Sequence, residues 1–299
     1  MKKTQPVHQP VLLDAVIHFL APRDGGLYVD GNLGLGGHSK AILAASSPGG
    51  RVIGFDWDEE AIRKAGENLG EYGGRITIVR RNFAEIQAVL EEQGEGAVDG
   101  LLLDLGLSSM QLDVSGRGFS FQGSEPLDMR MDARGDETAA DLLNGATENE
   151  LADIFFYYGE ERQARRIASR VVDYRKQTLI TTTDQLVGIV EDSVPRRFRP
   201  KKIHVATKVF QALRIAVNRE LDNLEKILAG LDQIVKPGGR ICIISFHSLE
   251  DRLVKNAFRN NPKLTSLTAK PVIADESELQ TNPRSRSARM RVAEMMGES

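Results

Sequence analysis

Apolar positions in the first hundred residues recur with two spacings that alternate along the chain. Short runs typical of buried strands occur at 27–29, 52–55, 76–79 and 98–104. The spacing of three to four residues that is typical of amphipathic helices instead occurs at 7–21, from 38 onward, at 58–69 and at 84–92. Strands that alternate with helices in this way predict a doubly wound, Rossmann-like parallel sheet of the α/β class.

The alternation stops after residue 104 and returns near residue 206. Residues 105–132 are rich in Gly, Ser and charge and predict loops, whereas 138–193 carry only helical patterns. A long helical stretch follows at 206–235, then a Lys-Pro-Gly-Gly turn and a fifth strand at 240–246. We therefore predict a core formed by residues 1–112 and 206–299, with a basic C-terminal tail, interrupted by an inserted all-helical domain at 113–205.

The most informative stretch is LYVDGNLGLGGHS at 27–39, a strand followed by a glycine-rich turn and a helix start. Glycine lets backbone N–H groups approach a ligand closely, so Gly34, Gly36 and Gly37 predict a cradle for a nucleotide-like ligand. The next strand ends at Asp56, twenty positions after Gly36, where an acid can accept hydrogen bonds from ribose hydroxyls. The alternative is a tight β–α turn without a ligand.

Two ligands suit this arrangement, a dinucleotide and S-adenosylmethionine. The dinucleotide fingerprint needs a third glycine where this chain has Ser39. Asp30, at the end of the first strand, would repel a pyrophosphate but attract the ammonium and sulfonium groups of S-adenosylmethionine. The residues therefore favour S-adenosylmethionine as the cofactor.

Asp104 ends the fourth strand and is the candidate catalytic residue. In this fold that position faces the reactive end of a cofactor held by the first two turns. A carboxylate there can accept a hydrogen bond from an amine and stabilise the charge that develops as the amine is methylated. Strand capping is the alternative reading.

Charge is distributed unevenly. Residues 162–208 hold twelve Lys/Arg and four Asp/Glu, a net charge of +8, which leaves −11 for the rest of a chain whose total is −3. Such a basic face on an acidic body suits a polyanion. The best candidate for RNA phosphate contacts is a loop without adjacent acids that contains Arg196, Arg197, Arg199, Lys201 and Lys202. A second series at Arg162, Arg165, Arg166 and Arg170 shares a helix face with nearby Glu160 and Glu161, which is typical of a solvated surface.

The composition argues against a membrane protein, a secreted protein and a metal-binding protein. No apolar run approaches the ~20 residues that span a membrane, and the N-terminus is a poor signal peptide. The single cysteine, Cys242, excludes an internal disulfide and favours a reducing compartment such as the cytoplasm. The five histidines show no metal-ligand spacing, so no metal site is predicted. A monomer and a homodimer both stay open.

Several motifs together resemble the bacterial small-subunit rRNA cytosine-N4 methyltransferases. They are DGNLGLGGHS, GFDWDEEA, LLLDLGLSSMQLD, RGFSF, PLDMRMD, YGEERQARRIA, ATKVFQALRIAVNREL, KPGGR, ISFHSLEDR and NPRSRSARMR. The resemblance runs from about residue 8 to 291, and LDMRMD, FQALRIAVNREL and SFHSLEDR are its most specific parts. It implies methyl transfer from S-adenosylmethionine to N4 of a cytosine in the decoding region of 16S rRNA, on free rRNA or within the small ribosomal subunit. It also implies a class I methyltransferase core with an inserted substrate-recognition domain.

The resemblance also implies roles for individual residues. Gly36, Gly37 and His38 would lie at the methionine end of the cofactor, Asp56 at the ribose and Phe83 by the adenine. Asp104 and Gln111 would lie near the methyl donor. The chain lacks the Asp-Pro-Pro-Tyr motif of many amine methyltransferases, which leaves Phe119 and Phe121 as candidates to stack on the target base or simply to pack within their loop.

Two other functions stay open from the residues alone. A nicotinamide-dependent dehydrogenase is weakened by Asp30 and Ser39. A non-catalytic ribosome-assembly factor would have no need of the full set of Gly36, Gly37, His38, Asp56 and Asp104.

Overall fold

The computed structural model describes residues 9–107, 116–121 and 123–297. The chain divides into two compact units. The sheet unit comprises residues 1–106 and 221–299, and the helical unit comprises residues 107–220. Each contains its own helices and buried apolar residues.

The sheet unit begins with the predicted alternation of strands and helices. Its elements before the helical unit are α1 Leu13–Leu20, β1 Leu27–Asp30, α2 Gly37–Ala45, β2 Arg51–Asp56, α3 Glu59–Leu69, β3 Ile76–Arg80, α4 Ile86–Glu92 and β4 Val98–Asp104. The helical unit contains α5 Ala139–Gly145, α6 Glu148–Tyr157, α7 Ala164–Arg175, α8 Thr183–Ser193 and α9 Thr207–Asn218. The chain then continues through α10 Glu220–Ala229, α11 Leu231–Ile234, β5 Val235–Ser245, α12 Ser248–Asn260, β6 Leu264–Ser266, α13 Glu276–Thr281 and β7 Arg289–Met295.

Within the described residues, seven strands form one sheet in the order β3-β2-β1-β4-β5-β7-β6. The first five strands are mutually parallel, and β7 pairs antiparallel with both β5 and β6. The Rossmann-like α/β prediction is confirmed. Strand β7 was not predicted from the sequence, in which its residues belong to a basic tail.

Helices cover both faces of the sheet. Successive strand residues point to opposite faces, so Val29, Leu101 and Ile243 join an apolar cluster with residues of α4 and α10. Tyr28, Leu102 and others of the opposite parity join a second cluster with residues of α1 and α2. The same parity places Asp30, Asp56 and Asp104 toward the second face, where α2 begins.

The limits of the helical unit differ from the predicted insertion at its C-terminal end. The sequence placed α9 in the core, as part of one long helical region. The structure ends α9 at Asn218, because Arg219 adopts a left-handed φ of 48°. The buried Asn218 amide accepts a hydrogen bond from the Met131 N–H at 2.7 Å and donates one to the Met129 carbonyl at 2.8 Å. These contacts, together with packing on α5 and α6, make α9 part of the helical unit.

Candidate functional site

The carboxyl ends of β1, β2 and β4 bring three acids and a glycine loop together. In the sheet register, Asp30 is paired with Gly54 of β2 and with Leu102 of β4. Each acid therefore ends its strand at the same edge of the sheet, which is where open α/β sheets bind ligands.

The glycine loop has the backbone form that the sequence predicts. Gly34 and Gly36 have φ values of 52° and 83°, a region in which side chains are strained. A Cβ on Gly31 would collide with the Leu103 side chain, and one on Gly37 would collide with the Pro10 ring. The loop thus needs glycine for its backbone conformation and for close packing against its neighbours.

Asp56 connects β2 to this loop. Its carboxylate accepts a hydrogen bond from the Gly34 N–H at 2.9 Å and one from the Asp58 N–H at 2.9 Å. Burial raises the pKa of Asp56 to about 6. The Asp56 residue is only partly buried, so its carboxylate can also accept a hydrogen bond from a ligand hydroxyl.

A concave pocket begins beside Asp56. It is lined by Gly31, Asn32, Asp56, Trp57, Arg81, Asn82 and Phe83. Phe83 is nearly buried, and the Asn82 carboxamide accepts a hydrogen bond from the Ala84 N–H at 2.9 Å, which fixes the turn around Phe83. The sequence reasoning missed Trp57, although a lone tryptophan directly after the strand-ending acid was a usable signal.

Asp30 and His38 lie deeper in the site. The Asp30 carboxylate is 1% exposed and accepts a hydrogen bond from Ser39 Oγ at 2.7 Å. Burial raises the pKa of Asp30. The Ser39 side chain, which breaks the dinucleotide fingerprint, therefore holds this acid.

His38 interacts electrostatically with two carboxylates, those of Asp104 and Asp30. Its Nε2 is 3.6 Å from Asp104 Oδ2. Burial disfavours the imidazolium, but the charges of Asp104 and Asp30 outweigh burial and raise the pKa of His38 above its ordinary value. The sequence assigned His38 to the loop without predicting this pairing with Asp104.

Several buried polar atoms in the site have no hydrogen-bond partner among the described residues. They are Nδ1 and Nε2 of His38, Oδ1 of Asp104 and Oδ1 of Asn32. Buried polar groups are normally satisfied, so such a cluster indicates that a polar ligand completes the site. Gln111 lies outside the described residues.

His247 occupies a structural position at the start of α12. Its Nδ1 accepts a hydrogen bond from the Glu250 N–H at 3.4 Å, and Glu250 Oε2 accepts one from the His247 N–H at 3.3 Å. This reciprocal cap identifies His247 as a helix-capping residue.

The basic loop of the helical unit has two kinds of arginine. Arg196 and Arg197 are exposed, as are Lys201 and Lys202, and the Arg197 guanidinium lies 4.7 Å from the centre of the Phe198 ring. Arg199 instead donates to the Glu191 carbonyl at 2.6 Å and to the Val194 carbonyl at 3.1 Å. Arg199 therefore caps the C-terminus of α8, whereas the sequence treated all three arginines alike.

Phe119 and Phe121 pack within the helical unit. Phe119 is 7% exposed and has the Arg117 guanidinium 5.5 Å from its ring centre. Phe121 stacks on His204 at 5.0 Å and meets Phe210 edge-on at 5.3 Å. Both side chains therefore pack within the helical unit, which is one of the two roles that the sequence left open for them.

The fold and the glycine-and-acid edge are those of a Rossmann-like protein that binds a nucleotide-like ligand. The model of the MraW methylase family matches residues 5–296. "Ribosomal RNA small subunit methyltransferase H" of Desulfotalea psychrophila is 58% identical over 290 residues, which cover 97% of this chain and 98% of that protein. The protein of the same name from Geotalea uraniireducens is 51% identical over 305 residues, which cover 96% and 98%.

This chain belongs to the MraW methylase family. The predicted family resemblance and the prediction of an S-adenosylmethionine-dependent rRNA methyltransferase are confirmed. Family membership does not favour the dehydrogenase or the non-catalytic assembly factor. No helix in the described part of the chain is long and apolar enough to cross a membrane.

Proposed function

We propose that the protein transfers the methyl group of S-adenosylmethionine to the exocyclic N4 amine of a cytosine in the decoding region of 16S rRNA. The observation that carries this proposal is the set of acids Asp30, Asp56 and Asp104 at one sheet edge beside the glycine loop. Relatives that align over nearly their whole length bear the name of a small-subunit rRNA methyltransferase.

The cofactor fits the residues of this edge. The partnerless atoms of His38, Asp104 and Asn32 call for a polar ligand, and a pocket lined by Gly31, Asn32 and Asp56 opens beside them. Asp56 would accept hydrogen bonds from the ribose, and Phe83 would line the adenine side of the pocket. Gly34, Gly36, Gly37, His38 and Asp30 would surround the methionine end, and Gln111 keeps its sequence-based assignment there. Bound S-adenosylmethionine supplies an electrophilic methyl group on a positively charged sulfur.

Asp104 would position the nucleophile. The lone pair of cytosine N4 is delocalised into the ring. The amine therefore needs a partner that localises this lone pair on N4 and stabilises the positive charge that develops there. The Asp104 carboxylate can accept a hydrogen bond from the amine, and His38 at 3.6 Å can hold that carboxylate in place. A carboxylate in this role contributes through orientation and electrostatics.

The helical unit would recognise the RNA. Arg196, Arg197, Lys201 and Lys202 are exposed and suited to phosphate contacts, whereas Arg199 contributes through the cap of α8. We propose the assembled small subunit as the preferred substrate and the cytoplasm as the site of action. The homodimer stays a hypothesis that sedimentation velocity tests.

One experiment tests the function and the substrate form together. The protein is incubated with methyl-labelled S-adenosylmethionine and either deproteinised 16S rRNA or small subunits, and the labelled nucleotide is mapped. We expect N4-methylcytidine at one position of 16S rRNA, at a higher yield with subunits. Label on another base, or on no RNA in either preparation, would refute the proposal.

A further inference from the structure

Two neighbouring aromatic side chains at the end of α6 are exposed. Phe156 is 54% exposed and Tyr157 is 62% exposed, and their rings meet edge-on with centres 5.2 Å apart. Phe155, one residue earlier, is fully buried and already supplies the apolar anchor of this turn. Adjacent aromatic rings that face solvent are informative, because a stable helix has no need of them there.

Arginines form the other wall of the same concavity. It is lined by Ala152, Asp153, Phe156, Tyr157 and residues 162–166, which include Arg162, Arg165 and Arg166. We call Phe156, Tyr157, Arg162, Arg165 and Arg166 the aromatic–arginine surface. All three arginines are exposed, and no hydrogen bond or ion pair holds them among the residues that the structure describes.

Glu161, one of the two glutamates that precede these arginines in the sequence, turns inward. Glu161 is 7% exposed, and its carboxylate accepts a hydrogen bond from the Gln163 N–H at 2.8 Å. Within the described ranges, Asp153 is the one acid that lines the concavity. Three arginines and one acid therefore line the concavity.

The position of the arginines on α7 is unfavourable for the helix itself. Arg165 and Arg166 lie in its first turn, which contains no acid, and Gln163 provides no side-chain cap. The helix dipole disfavours cations at this end and favours anions. An anionic ligand would relieve both the mutual repulsion of the arginines and their interaction with the dipole.

The surface continues toward the basic loop. Arg166 also lines a second concavity, together with Ser169, Arg170, Asp173, Asp192 and Ser193. The Asp173 carboxylate is engaged by Lys176 at 2.8 Å, and Ser193 ends α8 directly before the loop that carries Arg196 and Arg197. Arginines thus line both concavities between the exposed rings and the loop within one unit, and Asp192 is a further acid of the second one.

We propose that the aromatic–arginine surface binds an unpaired segment of the RNA substrate. Phe156 and Tyr157 would stack on bases, and Arg162, Arg165 and Arg166 would contact phosphates. Every base has a face on which an aromatic ring can stack, but a duplex hides those faces, so the surface would prefer single strands. This inference rests on the proposed function and adds a binding surface that the sequence analysis interpreted as solvated.

The test measures binding of a fluorescein-labelled, unpaired RNA of about 16 nucleotides across a salt series. Phe156→Ala combined with Tyr157→Ala should weaken binding by at least about fivefold without changing the salt slope, because stacking carries no charge. Arg165→Gln combined with Arg166→Gln should flatten the log–log slope by about 1.4, or 0.7 per phosphate contact. A blunt duplex of the same sequence should bind the wild type and the aromatic variant equally.

Matched controls separate specific from general effects. Leu179→Ala removes another apolar side chain of the helical unit, which is 62% exposed, and should leave RNA binding unchanged. Lys226→Gln with Lys255→Gln removes two exposed charges of the sheet unit and should change the slope less than the arginine pair. S-adenosylmethionine affinity and the circular dichroism spectrum should stay constant throughout.

The outcomes distinguish this inference from the proposed function. If the wild type methylates 16S rRNA, the aromatic variant should raise KM for RNA at least about fivefold with kcat unchanged at saturating RNA. Unchanged RNA affinity and KM in that variant would overturn the inference alone, and loss of self-association without loss of RNA affinity would assign the rings to a protein interface. A wild type that methylates no RNA would instead refute the proposed function, while the oligonucleotide measurements would still decide whether the surface binds RNA.

Discussion

Asp56 gives the sharpest test of the cofactor site, because its protonation should control affinity. Burial raises the pKa of its carboxyl to about 6, and only the ionised form offers its full set of acceptors to ribose hydroxyls. At pH 5, about one unit below this pKa, roughly a tenth of the molecules are ionised. S-adenosylmethionine affinity should therefore fall about tenfold between pH 7 and pH 5, which corresponds to about 1.4 kcal/mol.

The matched variant is Asp56→Asn, which keeps the shape of the side chain. It retains one acceptor for the two amides, Gly34 N–H and Asp58 N–H, that the carboxylate binds at 2.9 Å. Loss of a charged hydrogen bond should weaken binding at pH 8 by about 1.5–3 kcal/mol, or roughly 10- to 150-fold. The gap between variant and wild type should shrink toward pH 5, because the carboxamide of the variant has no proton to gain.

Stability without cofactor should change with pH in the opposite direction. The folded protein holds the Asp56 proton more tightly than the unfolded chain does, so raising the pH from about 4 to about 6 lowers the free energy of unfolding through this group. Isothermal titration calorimetry from pH 5 to pH 8 measures the trend in affinity, and thermal melts of both proteins from about pH 4 to pH 8 measure the trend in stability. Equal pH dependence of affinity in the wild type and Asp56→Asn would refute the assignment of Asp56 to the ribose.

Three further predictions concern other charged side chains. Asp104→Asn should leave cofactor affinity intact and lower single-turnover methylation by at least ~100-fold, and a near-normal rate would remove Asp104 from the chemistry. Arg196→Gln combined with Arg197→Gln should flatten the log–log slope of RNA affinity against salt by about 1.4 and leave Tm unchanged. Arg199→Gln should instead lower Tm, because it uncaps α8. A reversed pattern in binding and melting experiments would contradict these roles. Arg291→Gln should lower the free energy of unfolding by about 1.5–3 kcal/mol in denaturant titrations, because it removes a charged hydrogen bond of 2.7 Å to Asp251 of α12, and unchanged stability would contradict this structural role.

The sequence by itself determined the first half of the sheet and the main members of the site. Strands β1 to β4 carry local signals, an apolar run closed by an acid or a turn, and these signals do not depend on distant residues. Once the strands are parallel, their carboxyl ends must meet at one edge. Once the order of strands and helices is predicted correctly, Asp30, Asp56 and Asp104 are therefore expected to lie close together.

Tertiary structure decided the features that depend on distant partners. Strand β7 could not be predicted from its basic segment, because its place in the sheet depends on pairing with β5 and β6. Arg291 likewise donates hydrogen bonds to Asp251, which lies forty residues away in the sequence. Likewise, local sequence showed that arginines and glutamates are neighbours near residue 161 but not that the Glu161 side chain turns inward. A side chain's position in the sequence sets its neighbours along the chain, whereas burial and hydrogen bonds in the folded protein decide which charges are left for a ligand.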